Sequence, residues 1–273
     1  MSWGATLRKR AEERGSVSSC SPSARAGGGS ALIIDSHTHA DEATSLGWID
    51  PPETILKLLD EAGIDKAVIM TYVDAQDEAP LDYIAAAVAR YPARLVGYAR
   101  IHPGSENAEA LLEKAVGERG FKGLKLHPVS NLSHPADEAT HRLMRKAAEL
   151  RVPVLFHCGD EPFTTPFELE YAAVAVPEAT VIFGHMGGYF HAEQAIEVAQ
   201  RRPNVYLETS AVPRPALISQ ALRAIGPERI LFASDGPGCD PRLEVYKVQR
   251  AGLTDDEKAL VFAGNILRLW GEG

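Results

Sequence analysis

Eight short apolar runs recur along this chain at a spacing of about 28 residues, and that rhythm constrains the fold more than any other feature. They lie at 31–34, 66–70, 94–98, 121–126, 153–156, 180–183, 204–207 and 229–232. Each is nearly continuous in apolar or β-branched residues rather than alternating. That is the pattern of a strand covered on both faces. Between the runs, apolar positions recur at helical spacing, as in 52–62 and 137–150. Proline opens several of these stretches (Pro51, Pro80, Pro215) and glycine closes others (Gly63, Gly226). Eight strand–helix repeats in succession predict an α/β chain folded as a single-domain (β/α)8 TIM barrel. An open doubly wound sheet is the second choice. No G-x-G-x-x-G follows the first run, which weighs against a dinucleotide-binding version.

The rhythm starts only at residue 31. Gly, Ser and Pro supply 13 of the first 30 residues, ending in Gly27-Gly28-Gly29-Ser30. This stretch carries Arg8, Lys9, Arg10, Arg14 and Arg25 against Glu12 and Glu13. We expect a disordered tail over 1–30 and a barrel over 31–273. No apolar core of a secretory leader is present in the tail, and no apolar run reaches the ~18 residues of a membrane span. The whole chain has a net charge of 28 − 37 = −9. An acidic protein is a poor electrostatic partner for nucleic acid or an anionic membrane, so neither is expected. Three cysteines rule out a disulfide scaffold. A cytoplasmic protein acting on a small molecule is the class that remains.

The chain has nine histidines, and their placement is selective. His37, His102, His127, His157 and His185 each fall within a few residues of the carboxyl end of a run, and His39 follows His37 by two. In a barrel, chemistry sits at strand ends and the loops after them. On extended chain, residues two apart share a face, so His37 and His39 can reach one point. His157 and His185 end the fifth and sixth runs, and Asp235 ends the eighth. Polar groups there are expensive to desolvate without a partner. Five of them converging on one rim are most simply explained by a shared cation. Imidazole and carboxylate donors suit Zn²⁺, and also Mn²⁺, Fe²⁺ or Ni²⁺; we lean towards zinc. With three or four protein ligands a position stays open for water, whose pKa zinc lowers to about 7. His134, His141 and His191 fall in loop or helix and are expected to be solvated. Cys158, beside His157, reads as a buried inert thiol, and nothing in the sequence activates Cys239.

The order of these residues resembles the amidohydrolase superfamily. The phrases Gly123-Leu-Lys-Leu-His-Pro128, Phe183-Gly-His-Met-Gly-Gly188, Val205-Tyr-Leu-Glu-Thr-Ser210 and Phe232-Ala-Ser-Asp235 resemble its amidohydrolase-related branch. So does Ala263-Gly-Asn-Ile-Leu-Arg-Leu269. The resemblance covers the body and leaves out the tail. It implies one divalent metal held by His37, His39, His157 and Asp235. It implies His185 beside that metal as the group that orients or deprotonates its water, with Asp235 sharing proton transfer. Lys125 stands near the place where two-metal members carry a bridging carboxylated lysine. Bridging a second metal, binding a substrate carboxylate and pairing with a neighbour all stay open for it. Arg100, Lys125 and His127 are candidates for substrate binding, with His102 beside Arg100 as a further clamp for an anionic group. The loops 159–166 and 236–241 are expected over the mouth, and Gly187-Gly188 is expected to let backbone approach a ligand. The branch contains hydrolases of amides, esters and lactones, and also non-oxidative decarboxylases. Short intervals between runs favour the hydrolase, with a carboxy-lyase acting on an unsaturated or aromatic acid as the alternative. Barrels of this branch often pair, so a homodimer is expected.

Overall fold

The structure, a computed structural model, describes residues 31–43 and 46–272; the tail expected over 1–30 lies outside the described residues. Each of the eight runs holds at least part of a strand, the first only at Ile34, from which its strand runs on to His39. The strands are β1 (Ile34–His39), β2 (Lys66–Met70), β3 in two segments (Leu95–Gly97 and Ala99–Arg100), β4 (Leu124–Leu126), β5 (Val154–His157), β6 (Val181–Gly184), β7 (Val205–Glu208) and β8 (Ile230–Leu231). Neighbours in this order pair in parallel from β1 to β8. The first segment of β3 pairs with β2 and the second with β4, so the break at Tyr98 joins two sheets into one wall. The chain is a TIM barrel.

Strand pleat sorts the side chains. Leu124, Val154, Phe156, Val181, Phe183, Val205 and Leu207 pack outward with the helices. Ile34, Val68, Tyr98, Leu155, Ile182 and Leu231 pack inward on one another, and Ala263, Ile266 and Trp270 of the C-terminal segment join them. Trp270 donates from Nε1 to the Tyr98 hydroxyl at 3.2 Å. Burying each such aliphatic side chain stabilises the barrel by roughly 1.5–3 kcal/mol. Because the pleat has period two, the residue two beyond an inward one is also inward. Tyr98 is therefore followed inward by Arg100, Leu155 by His157 and Tyr206 by Glu208. Lys125, between outward Leu124 and Leu126, also points in. Polar residues thus form a layer above the apolar one, at the carboxyl end of the strands. Room for the rings depends on glycine: a Cβ on Gly123 would lie 2.4 Å from the Tyr98 ring.

The helix expected at 52–62 is Pro52–Ala62, closed by Gly63 at φ 71°. That expected at 137–150 is Glu138–Glu149. An antiparallel hairpin, Asp41–Ala43 with Trp48–Asp50, follows β1 and interrupts the regular alternation. Among the described residues no helix is long and apolar enough to cross a membrane.

Candidate functional site

The polar layer brings the expected residues together. His37 Nε2 lies 3.5 Å and His39 Nε2 3.3 Å from the same oxygen, Asp235 Oδ1. One donor atom each from His37, His185 and Asp235 lies within 4.8 Å of the other two. His157 stands against His185, with Nδ1 3.1 Å from His185 Nε2 and Nε2 3.2 Å from Glu161 Oε2. In this arrangement His185, expected as the neighbour of the ligands, groups with His37 and Asp235, and His157 packs against His185. Lys125 Nζ sits 2.9 Å from His37 Nε2.

The partners of each imidazole decide where its proton resides. His37 Nδ1 donates to Glu208 Oε1 at 3.0 Å. His39 Nδ1 faces the Thr71 carbonyl oxygen at 3.3 Å, which can only accept. The Ser210 hydroxyl donates to Glu208 Oε1 at 2.9 Å, so it accepts from His185 Nδ1 at 2.7 Å. In all three rings the proton is on Nδ1 and the lone pair on Nε2. The His39 lone pair faces Asp235 Oδ1 acceptor against acceptor, and that of His37 lies between Asp235 Oδ1 and the Lys125 amine. Burial keeps the rings uncharged: it holds His37 well below the usual imidazole range, lowers His39, and pushes His185 down to about 3. Neutral nitrogen donors and one carboxylate oxygen converging without a proton between them fit a divalent cation. Burial pushes the Asp235 carboxyl up, but the imidazoles of His185, His37 and His39, once protonated in acid, outweigh it and hold the carboxyl well below the usual carboxylate range, so at neutral pH it is ionised beside uncharged rings. Burial, with Arg100 nearby, brings the Lys125 amine down to about 7.

A cavity of about 760 Å³ opens beside these donors. Its lining divides by chemistry. Arg100, Lys125, His127, His157 and Asp235 supply charge and hydrogen bonds, while Leu46, Trp48, Tyr72 and Pro237 supply apolar surface. Arg100 is held by Asp74 Oδ1 at 3.1 Å and by the Ser130 hydroxyl at 2.8 Å. His127 stacks on His157 with ring centroids 4.0 Å apart. Tyr72 stacks on His39 at 4.8 Å, receives the edge of Trp48 at 5.0 Å, and donates its hydroxyl to Asp50 at 3.0 Å.

Several expectations need correction. His102 accepts from the Gly104 amide at 3.0 Å and does not line the cavity. Of the two loops expected over the mouth, 236–241 contributes Pro237 and Gly238, but no residue of 159–166 lines the cavity; the hairpin after β1 takes that place. Asp160 of that loop accepts the amides of Tyr189 and Phe190, both at 2.9 Å, while Glu161 reaches His157. Gly188, at φ 66°, packs against Asp160, where a Cβ would lie 2.9 Å from Oδ2, and Gly187, at φ 88°, packs against Ala192 and Pro166. His134 is partly covered, edge-on to Phe163 at 5.2 Å. Cys158 is fully buried, and burial raises its thiol well above the usual range.

Three contributors had no role assigned from sequence: Glu208, Ser210 and the Trp48–Tyr72 pair. Glu208 is fully buried and accepts from His37 Nδ1, from the His185 amide at 2.7 Å, and from the Ser210 amide at 2.6 Å. A carboxylate two residues beyond inward Tyr206 is the signal that could have found it. His185 and Asp235 also have left-handed backbone, at φ 61° and 60°. Non-glycine residues there are strained by roughly 1–3 kcal/mol each, and the surrounding bonds must hold them.

The family model described as amidohydrolase matches residues 34–271. The chain belongs to the amidohydrolase family. No curated protein sequence matches it. Among solved structures it is similar to an uncharacterized TIM-barrel protein from Bordetella bronchiseptica, with a TM-score of 0.73 and 20% identity over 88% of this chain and 99% of that one. It is similar also to a dihydroxybenzoic acid decarboxylase from Polaromonas sp. JS666 with bound manganese and 2-nitroresorcinol (TM-score 0.70, 19% identity, 88% of this chain and 97% of that one). A third is a 5-carboxyvanillate decarboxylase from Novosphingobium aromaticivorans complexed with manganese (TM-score 0.72, 16% identity, 89% and 96%). At these identities the likeness is one of fold.

Proposed function

We propose that this amidohydrolase-family barrel is a metal-dependent, non-oxidative decarboxylase of an unsaturated or aromatic carboxylic acid. The observation that carries the reading is the mixed lining of the cavity. Two basic side chains, Arg100 and Lys125, both at most 4% exposed, line it with the metal donors, and Trp48, Tyr72 and Leu46 add apolar surface. A carboxylate with a flat apolar body matches such a lining. A neutral amide or lactone offers no charge to a guanidinium. The decarboxylases among the similar folds support this choice over hydrolysis, the reading that short intervals between strands favoured. Their bound manganese supports Mn²⁺ over the zinc expected from donor type.

In this reading His37, His39, His157 and Asp235 would hold the metal, with His185 beside it. A divalent cation there supplies a Lewis acid that neutralises and fixes substrate oxygens. Arg100 and Lys125 bind the carboxylate, and His127 borders it. His185, with Nδ1 tied through Ser210 to Glu208, has an unprotonated Nε2 beside the site. The proton that replaces CO₂ on the carbon comes from water, and His185 and Asp235 are placed to take it up and relay it. The balance is one carboxylate and one proton in, one C–H product and one CO₂ out.

The test is an assay of Mn²⁺-reconstituted protein in ¹⁸O-labelled water, against hydroxylated aromatic acids, unsaturated acids, lactones and amides. Decarboxylation releases one CO₂ per substrate consumed. Label appearing in a new carboxyl group of the product, without CO₂, would establish hydrolysis instead.

A further inference from the structure

The barrel closes where β8 returns to β1, and that seam is built unlike the other seven. Each other pair of neighbouring strands has a parallel ladder of at least two residue pairs. Between β1 and the chain leaving β8, the described residues form only one isolated bridge, Thr38 with Gly236. Three backbone bonds cross there: the Ser36 amide to the Phe232 carbonyl at 3.0 Å, the Asp235 amide to the His37 carbonyl at 2.8 Å, and the His39 amide to the Gly236 carbonyl at 2.8 Å. β1 is also irregular between Asp35 and Thr38, the stretch that carries the first metal donor.

A side chain fills the missing rung. Asp35 Oδ1 accepts the Ser234 amide across the seam at 2.9 Å and the His37 amide on its own strand at 3.2 Å. His37 is one of the residues read as metal donors, and Ser234 immediately precedes another, Asp235. One oxygen atom therefore ties the backbone of His37 to that of the residue before Asp235, beside the direct bond from the Asp235 amide to the His37 carbonyl. Asp35 is fully buried, and its second oxygen, Oδ2, has no hydrogen-bond partner. Leaving a buried carboxyl oxygen unpaired is unfavourable, and the two amide bonds to Oδ1 are what offsets that cost. Asp235 needs such restraint, because its left-handed backbone is not self-supporting.

We propose that Asp35 is a positioning residue: its carboxylate closes the seam between β1 and β8 and sets the separation of His37 from Asp235. The inference rests on the reading that these two side chains hold a metal. It extends the role of the sequence Asp35-Ser-His37-Thr-His39 beyond its two imidazoles.

The experiment compares wild type with Asp35→Ala, Asp35→Asn and Asp35→Glu. It reads metal affinity by chelator competition, the visible spectrum of the Co²⁺-loaded protein, and the thermal midpoint without metal. Asp35→Ala is expected to weaken metal binding by about 10–100-fold and to change the Co²⁺ spectrum. Asp35→Asn keeps an acceptor at Oδ1 and restores affinity to within about threefold of wild type. Asp35→Glu keeps the charge but moves the oxygens by one methylene, so its spectrum shifts; it carries the test if the alanine variant does not fold. Ser36→Ala removes the other side-chain bond across the seam, from Ser36 Oγ to the Phe232 carbonyl, and leaves the wild-type spectrum. Wild-type affinity and spectrum in Asp35→Ala, or in Asp35→Glu if that variant carries the test, overturn the proposal. Wild-type protein that takes up no divalent cation overturns the metal reading itself, a separate outcome.

Discussion

Glu208 shows how much one buried side chain can organise. Its two oxygens collect the His37 ring, the His185 amide, the Ser210 amide and the Ser210 hydroxyl. Through the first it fixes the proton of His37 on Nδ1, and through the Ser210 hydroxyl it does the same for His185. Partners of this kind orient metal ligands, and losing one lowers affinity or activity by about 10–100-fold. Glu208→Gln, which replaces one acceptor oxygen by a donor, should therefore weaken metal binding by about that factor in a chelator titration. Unchanged affinity would mean that the tautomers are held by something else. At this scale the sequence was informative about histidine and silent about glutamate. His37, His39, His157 and His185 stood out because an imidazole ending an apolar run is unusual. Glu208 also ends such a run, but its meaning lies in four donors arriving from β1, from the turn after β6 and from its own loop, which no local pattern displays.

At the scale of elements, the loops after β7 and β8 are backed by the helix Pro241–Arg250. Its Glu244 is buried, and burial raises the carboxyl to about 7 even though Lys247 pairs with it. The native protein thus holds this proton more tightly than the unfolded chain, whose carboxyl titrates near 4.5. Stability from this group is present in full below about pH 4.5, falls as pH rises towards 7, and is level above. The shift of about 2.5 units corresponds to roughly 3 kcal/mol. Urea denaturation at pH 5 and pH 7.5 should show that difference shrinking in Glu244→Gln; an unaltered difference would place the titration elsewhere. The eight strands were legible because a strand covered on both faces must be apolar throughout. The hairpin after β1 was not, because Asp41–Ala43 and Trp48–Asp50 are short, mixed in polarity and half-exposed. Gly47, with φ 71°, was its one local signal.

For the whole molecule, a metal that binds only the folded barrel must stabilise it. At a free concentration of 100 times Kd the gain is about 2.7 kcal/mol. For a domain of this size that is a rise of roughly 5–10 °C in Tm. Mn²⁺ should produce it in wild type and not in Asp235→Ala; an equal rise in both would locate the ion elsewhere. The sequence alone determined the class of fold, the count of strands and the residue types available at their carboxyl ends. Periodicity and desolvation are local constraints, written along the chain wherever a segment must be buried. Which lone pairs meet and how Asp35 reaches Ser234 were decided by closure of the barrel. Closure brings residues some 200 positions apart to hydrogen-bond distance, and bonds of that range have no period along the chain to reveal them.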